Sequence, residues 1–316
     1  MESFERIKFE PLADSVFNYL FSEPDTISSM QEIINNVLVK SGDTPIKEIS
    51  RMDSQYPLLG ETLEGRGGRL DIRAVATDNT LFDIEVQLRR QTTMNDRSWF
   101  YGGRMLSQSF SEGEDFNKMP RVRVINLLDF VLRESHEDYL QPIGILYRKP
   151  PAEIATDAFR IYNIELPKFR KQFTTLESVL NDPLARWLYL LDRGYKDDRE
   201  MEVLTNMTEG MRAFAKKYNR SLNDPKLRAL YELELSAKRD QNAIAYTERM
   251  EGRKEGRQEG LAEGLTKGRQ EGLTEGRQEL ILSMLRNGAS MDFIYKCANM
   301  PKEDVDRIVS QMPGMH

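Results

Sequence analysis

Hydrophobic and polar positions alternate with a period of two between residues 70 and 88. The even positions are apolar: Leu70, Ile72, Ala74, Ala76, Phe82, Ile84, Val86 and Leu88. The odd positions carry Asp71, Arg73, Asp83, Glu85 and Gln87. This alternation predicts two antiparallel strands, roughly 70–76 and 81–88, with one face on a core and the other face free. Residues 77–80, Thr-Asp-Asn-Thr, suit the turn between them because Asp and Asn tolerate tight-turn backbone conformations.

The pairing register decides which polar groups meet. If the apolar positions of both strands keep one face, Asp71 shares the opposite face with Glu85 and Gln87. Cross-strand neighbours lie about 5 Å apart, so two carboxylates there could share a divalent cation. Without a positive group between them, the two charges would repel each other. The alternative is a solvated polar face that holds no ion.

The rest of the chain reads as an α/β region followed by helices. Helical spacing of apolar residues predicts helices within residues 1–40, where Asp14 caps or opens the first helix, and from Met94 to about Phe110. Residues 45–68 are interpreted as a connection that ends in a glycine-rich stretch. Further strands are expected at 121–132, 142–147 and 159–164, and the nearly apolar first of these suits a central strand covered on both faces. Apolar stripes at helical spacing indicate a helical extension over about 173–250.

A glycine repeat precedes the end of the chain. Glycine recurs every fourth residue at positions 252, 256, 260, 264, 268, 272 and 276. Each costs up to about 1 kcal/mol relative to alanine, which makes an isolated helix improbable. The segment is therefore either a flexible charged tether or a helix whose glycines allow close approach of a second helix. Short helices at 279–286, 291–298 and 302–311 resemble a small helix-turn-helix, interpreted as a packing or dimerisation module.

Composition narrows the class of protein. The 316 residues carry a net charge of −6, and 30% of them are charged. The sequence contains no run of about 18 apolar residues, so no membrane span is predicted. The first residues lack the basic and then apolar pattern of a signal peptide, and we therefore expect a cytoplasmic protein. The single cysteine, Cys297, excludes an internal disulfide framework and a cysteine-based zinc site. The acidic balance argues mildly against DNA binding, which needs only a local basic strip.

Asp71 followed by Glu85-Val86-Gln87 forms a short acidic motif with ordered flanking segments. The flanks are Asp14–Phe21, Arg97–Tyr101, Tyr162–Phe169 and the glycine repeat. Together they resemble the PD-(D/E)XK nuclease superfamily, and within it the recombination-promoting nuclease (Rpn) or putative transposase group. The resemblance implies an α/β fold with a restriction-endonuclease-like mixed β-sheet core flanked by helices and a helical C-terminal extension. We expect a nuclease core over 1–172, a helical extension over 173–248, the glycine repeat over 249–279 and a small helical module over 280–316.

The resemblance also implies a catalytic site. Asp71 and Glu85 would hold Mg²⁺ or Mn²⁺, with the carbonyl of Val86 as a third ligand. Gln87 stands where most of the superfamily has lysine; its amide can orient a water molecule but cannot neutralise charge. Asp14 matches an acidic residue that reaches the metal in similar nucleases, and an N-cap role is the alternative.

Basic residues supply the expected contacts to DNA. Arg97, Tyr101 and Arg104 share one helix face, where an arginine could hold a phosphate and the tyrosine could orient a strand or a water molecule. The alternative is that Arg97 pairs with a structural carboxylate and Tyr101 packs under the sheet. Arg66 and Arg69 are further candidate contacts to the DNA backbone.

The expected function is therefore a metal-dependent DNA endonuclease with a role in recombination or transposition. It would form a homodimer through the glycine repeat. The alternative is a catalytically weak or inactive nuclease-fold protein acting in DNA binding or self-assembly.

Overall fold

The computed structural model describes residues 8–21, 24–53, 72–149 and 153–310. It divides into two compact units, Met1–Ser236 and Ala237–His316. The first unit contains a six-stranded sheet whose strands are β1 Ile49–Asp53, β2 Ile72–Ala76, β3 Leu81–Gln87, β4 Val122–Leu128, β5 Leu140–Leu146 and β6 Ile154–Glu165. The helices are α1 Asp14–Phe21, α2 Ile27–Lys40, α3 Met94–Ser109, α4 Leu166–Gln172, α5 Leu176–Val179, α6 Pro183–Asp192, α7 Asp198–Thr205, α8 Glu209–Ser221, α9 Pro225–Arg286, α10 Met291–Cys297 and α11 Lys302–Ser310.

The sheet is mixed, as the family resemblance implies. Its strand order is β1-β2-β3-β4-β6-β5, with β3, β4 and β6 parallel and the other neighbours antiparallel. The predicted hairpin is confirmed over its described residues: Ile72 pairs with Ile84, and Ala74 pairs with Phe82. Its turn has Asn79 at a φ of 65°, a conformation that asparagine tolerates better than most residues.

Two interpretations need correction. Residues 49–53 were expected in a connection, yet they form β1 and pair with β2. The polar face of the hairpin was expected to be free, yet Asp83 and Glu85 are buried. Helix α3 covers that face at β3 and β4, which are buried on both sides, so the solvated face expected there is wrong.

The sheet's other face packs on the main hydrophobic core. Apolar stripes of α1, α2, α6 and α8 pack there with even-numbered hairpin residues such as Phe82 and Ile84. The carboxylate of Glu32 joins α2 to α8, accepting hydrogen bonds from the Gly210 N–H at 2.8 Å and the Thr208 hydroxyl at 2.6 Å. The helices predicted beyond residue 173 therefore form, and their apolar residues contribute to the same core as the first two helices.

The glycine repeat is helical, forming part of the 62-residue helix α9. A Cβ built at any of the seven repeat glycines would meet no atom within 4 Å, so no part of the described chain packs against them. In the second unit, Ile281 at the end of α9 packs with α10 and α11 in a small core of its own. None of the described helices has an apolar stretch long enough to cross a membrane. The domain limits expected at residues 172, 248 and 279 stay predictions.

Candidate active site

Glu85 is the centre of a buried polar site between β3 and α3. The residue is 6% exposed, and its Oε1 accepts a hydrogen bond from Arg97 Nη2 of α3. The other terminal nitrogen of the same guanidinium, Nη1, donates to the side-chain oxygen of Gln91. Burying a carboxylate is costly unless an opposite charge or hydrogen bonds compensate it. Arg97 supplies both, so the arginine expected near the site pairs with the candidate metal ligand itself.

A glycine lets α3 approach the sheet closely enough for this contact. A Cβ at Gly102 would overlap the ring of Phe159 and lie 3.2 Å from Val124 Cγ2. One turn nearer the start of α3, Ser98 is buried against the sheet. The close approach therefore covers β4 and β6 and brings the first turns of α3 over the polar positions of the strands.

A row of polar side chains crosses three strands at the level of Glu85. Glu85 is the register partner of Asn126 on β4, and Asn126 is the partner of Asn163 on β6. Both asparagines are almost fully buried. Asn126 Nδ2 donates to Asn163 Oδ1 at 2.8 Å and to Ser98 Oγ at 2.9 Å, and Asn163 Nδ2 donates to Asn95 Oδ1 at 2.8 Å. The row ties Glu85's neighbours rigidly to α3.

Two buried polar atoms in this region make no hydrogen bond within the described chain: Asn126 Oδ1 and Arg97 Nε. Nε and Nη2 of a guanidinium lie on one edge, which binds a carboxylate or phosphate bidentately when both are used. Here Glu85 accepts from Nη2, and Nε donates to none of the described residues. Arg97 thus retains a donor beside the carboxylate, and Asn126 retains an acceptor on the neighbouring strand.

The structure leaves several predicted site residues untested. Asp71, Arg66 and Arg69 lie outside the described residues. The described part of the hairpin does support the expected parity, because Arg73 on β2 and Asp83 on β3 are register partners whose side chains form an ion pair at 3.9 Å. Odd-numbered residues of both strands therefore share the face that α3 covers.

The other predicted residues flank the site at different depths. Gln87, two residues after Glu85 on β3, donates from Nε2 to the Arg89 carbonyl at 3.2 Å, and Val86 between them is partly buried. Tyr101 and Arg104 lie on later turns of α3 and are partly buried, and the Tyr101 ring meets Phe100 edge-on. Their roles toward DNA stay predictions.

Asp14 is the first residue of α1, and a distant glutamate caps that helix. The backbone N–H groups of Asp14 and Ser15 donate to the carboxylate of Glu234 at 2.9 and 3.0 Å. Glu234 belongs to α9, so the long helix contributes to the first unit at its start. The proposed reach of Asp14 toward a metal remains a prediction.

The donor atoms at the site suit a hard divalent cation. Within the described ranges, no three His, Cys, Asp or Glu side chains gather into a metal-binding group. Glu85 nevertheless offers a carboxylate, and Asn126 offers a buried amide oxygen that accepts no hydrogen bond from the described residues. Mg²⁺ takes oxygen ligands and commonly only one or two carboxylates from a protein. The residues present therefore fit Mg²⁺ or Mn²⁺.

The sequence patterns did not predict the row of buried asparagines. Asn126 lies in a run of seven buried residues, Val122–Leu128, which was interpreted by its apolar members. A polar side chain inside such a strand must find hydrogen-bond partners or destabilise the fold. A polar residue within the apolar strand β4 therefore indicates that Asn126 has a hydrogen-bond partner. Only the register between β4 and β6 shows that this partner is Asn163.

The mixed six-stranded sheet flanked by helices has the architecture of the restriction-endonuclease-like class of α/β proteins. The family model described as PD-(D/E)XK nuclease family transposase matches residues 11–248, and the chain belongs to that family. This confirms the resemblance drawn from the motif and its flanks. The chain matches no curated protein and no solved structure.

Proposed function

We propose that this protein is a divalent-metal-dependent DNA endonuclease that hydrolyses phosphodiester bonds. The observation that carries the proposal is the buried Glu85 carboxylate, held against Arg97 beside a fixed row of amides. A chain that needed only stability would gain little from burying this charge, because ion pairs inside proteins rarely outperform apolar packing. Membership of a nuclease family supports the same conclusion.

The pairing register of β2 and β3 is the reason for including Asp71 in the proposed metal site. Ile72 pairs with Ile84, and continuing that antiparallel pairing by one position would put residue 71 across from Glu85. Two carboxylates at that separation would repel each other unless a cation lay between them. Asp71, Glu85 and the carbonyl of Val86 would then hold Mg²⁺ or Mn²⁺. When bound there, the ion lowers the pKa of water and stabilises charge on the scissile phosphate.

The remaining side chains have distinct roles in this proposal. Arg97 would hold a phosphate oxygen through its Nε–Nη2 edge once it leaves Glu85, which compensates for the absence of the superfamily's lysine. Gln87 would release the Arg89 carbonyl and orient the attacking water by hydrogen bonding. Tyr101 and Arg104 on α3, with Arg66 and Arg69, would contact the DNA strand outside the reacting phosphate.

The test is nicking of supercoiled plasmid in Mg²⁺ or Mn²⁺ by purified full-length protein. Asp71→Asn and Glu85→Gln should each remove the activity while leaving the fold intact by circular dichroism. Asp83→Asn is the matched control, because Asp83 is buried on the same strand and face but is not in the proposed ligand set. Equal nicking by all variants would show a contaminating nuclease and refute the proposal.

A second candidate is a nuclease-fold protein that binds DNA or assembles without efficient cleavage. The ion pair between Arg97 and Glu85 favours it, since a divalent cation must compete with a guanidinium already in place. Gln87 favours it as well, because an amide carries no positive charge. DNA retention in a gel-shift assay without any metal-dependent nicking would select this function.

Self-association through α9 is compatible with either candidate function. Leu261, Leu265 and Leu273 each follow a repeat glycine and are 69%, 74% and 56% exposed. A solvent-facing helix with seven glycines is poorly stabilised by propensity alone. A homodimer in which the leucines of two such helices pack together would bury them, with the glycines allowing close approach. The cytoplasmic location and the role in recombination or transposition remain part of the proposal.

A further inference from the structure

The side-chain oxygen of Asn126 has no hydrogen-bond donor among the described residues. The residue is 0% exposed, and its Nδ2 donates to both Asn163 and Ser98. Its Oδ1 accepts no hydrogen bond from the described residues. An unsatisfied buried amide oxygen destabilises the fold, and a bound ion would remove that cost.

The surrounding bonds determine which way this oxygen points. The Ser98 hydroxyl donates its hydrogen to the Met94 carbonyl at 3.0 Å, so toward Asn126 it can only accept. Asn163 directs its own Nδ2 to Asn95, and therefore presents its oxygen to Asn126. Ser98 and Asn163 both accept from Asn126, so Asn126 Nδ2 must lie on the side of α3 and β6. Because a carboxamide is planar, its oxygen is directed away from β6, toward β3.

Glu85 occupies the paired position on β3. It is the register partner of Asn126, and its carboxylate lies under the same helix. Neighbouring strands of a sheet lie about 4.7–4.9 Å apart, so a carboxylate and an amide oxygen at paired positions of the parallel strands β3 and β4 can reach a common ion. Both groups are hydrogen-bond acceptors, and a cation between them would compensate both.

We propose that Asn126 Oδ1 is a direct ligand of the divalent cation that Glu85 holds. The inference rests on the proposed function and adds a neutral oxygen ligand from β4 to a set otherwise drawn from the hairpin. Hard cations such as Mg²⁺, Mn²⁺ and Ca²⁺ accept amide oxygens together with carboxylates. A cation bound there would take the place of Arg97 at Glu85 Oε1.

Binding of Mn²⁺ to the full-length protein, measured by isothermal titration calorimetry, tests the assignment without any turnover. Asn126→Ala removes the oxygen and should weaken binding about tenfold or more, a loss typical of altered metal sites. Asn126→Asp replaces the neutral oxygen by a charged one and should tighten binding about tenfold, because ligand charge raises cation affinity. Asn95→Ala is the matched control: it disturbs the same amide row at its far end and should leave the affinity within about twofold.

Folded Asn126 variants that bind Mn²⁺ as the wild type does would overturn the assignment while leaving the proposed function intact. A Glu85→Gln variant that binds Mn²⁺ with the same affinity as the wild type would overturn both the assignment and the proposed function. If the Asn126 variants do not fold, anomalous scattering from Mn²⁺ in wild-type crystals gives the answer. An ion about 2.0–2.6 Å from Asn126 Oδ1 supports the assignment, and an ion beyond about 4 Å refutes it.

Discussion

Removing Arg97 should destabilise the protein in a way that a divalent cation reverses. The substitution Arg97→Met keeps the apolar length of the side chain but leaves the Glu85 carboxylate without its guanidinium partner. Only 8% of the Glu85 side chain and 22% of the Arg97 side chain are exposed, so water can replace little of the lost interaction. Loss of one partner of a buried ion pair costs about 3–5 kcal/mol. The partial exposure of Arg97 places the expected loss near the lower end, at about 3 kcal/mol.

The measurement is thermal unfolding in EDTA and in millimolar Mg²⁺ or Mn²⁺. For a unit of this size, a loss of about 3 kcal/mol lowers Tm by roughly 6–12 °C. A cation that binds the folded state alone stabilises it by mass action, so metal should restore part of this loss. The metal-induced rise in Tm should be larger in Arg97→Met than in the wild type, because the variant has no guanidinium to displace.

Two controls separate this effect from a change in net charge. Arg90→Met removes a positive charge at an exposed position just after β3 and should change Tm little. The double variant Arg97→Met with Glu85→Gln removes both charges and should be more stable than Arg97→Met alone, since no buried charge is left uncompensated. An Arg97→Met protein as stable as the wild type in EDTA, or one that gains no more from metal, would refute the reasoning.

Two further predictions concern packing and assembly. Gly102→Ala should lower stability by about 1–2 kcal/mol, because the added methyl meets the Phe159 ring, and it should reduce nicking by moving the first turns of α3. Gly103→Ala, where a Cβ meets nothing within 4 Å, should instead raise stability by up to about 1 kcal/mol through helix propensity; equal effects in thermal melts would contradict the proposed close approach. Leu265→Glu should shift the full-length protein from dimer to monomer in light scattering, whereas Gln270→Glu, on the other side of the helix, should not. A dimer unchanged by Leu265→Glu would place the interface elsewhere.

The position of Arg97 is compatible with both roles that the sequence left open for it. It was expected either to hold a phosphate or to pair with a structural carboxylate, and it pairs with Glu85, the carboxylate that we propose as a metal ligand. One guanidinium can serve both purposes at different times, because a divalent cation on Glu85 would repel it toward a phosphate. The same contact explains how a carboxylate can stay buried before any cation arrives.

The sequence by itself determined the elements whose signals are local. Period-two alternation identified β2 and β3 and the parity of their pairing, which the Arg73–Asp83 ion pair supports. Helical spacing identified α3 and the helical character of residues 173–250, where α6 and α8 lie. Each of these depends on residues within a few positions of one another, so one chain segment contains the whole signal.

Only the tertiary structure decided what surrounds Glu85. Helix α3 covers the polar face because Gly102 permits a close approach to Phe159, a residue on a strand far along the chain. Asn126 meets Asn163 across 37 residues of sequence because β4 and β6 pair in a particular register. The exposure of an alternating strand depends on what packs above it, which its own residues do not specify. The chemistry of the site therefore follows from contacts between segments that no local pattern connects.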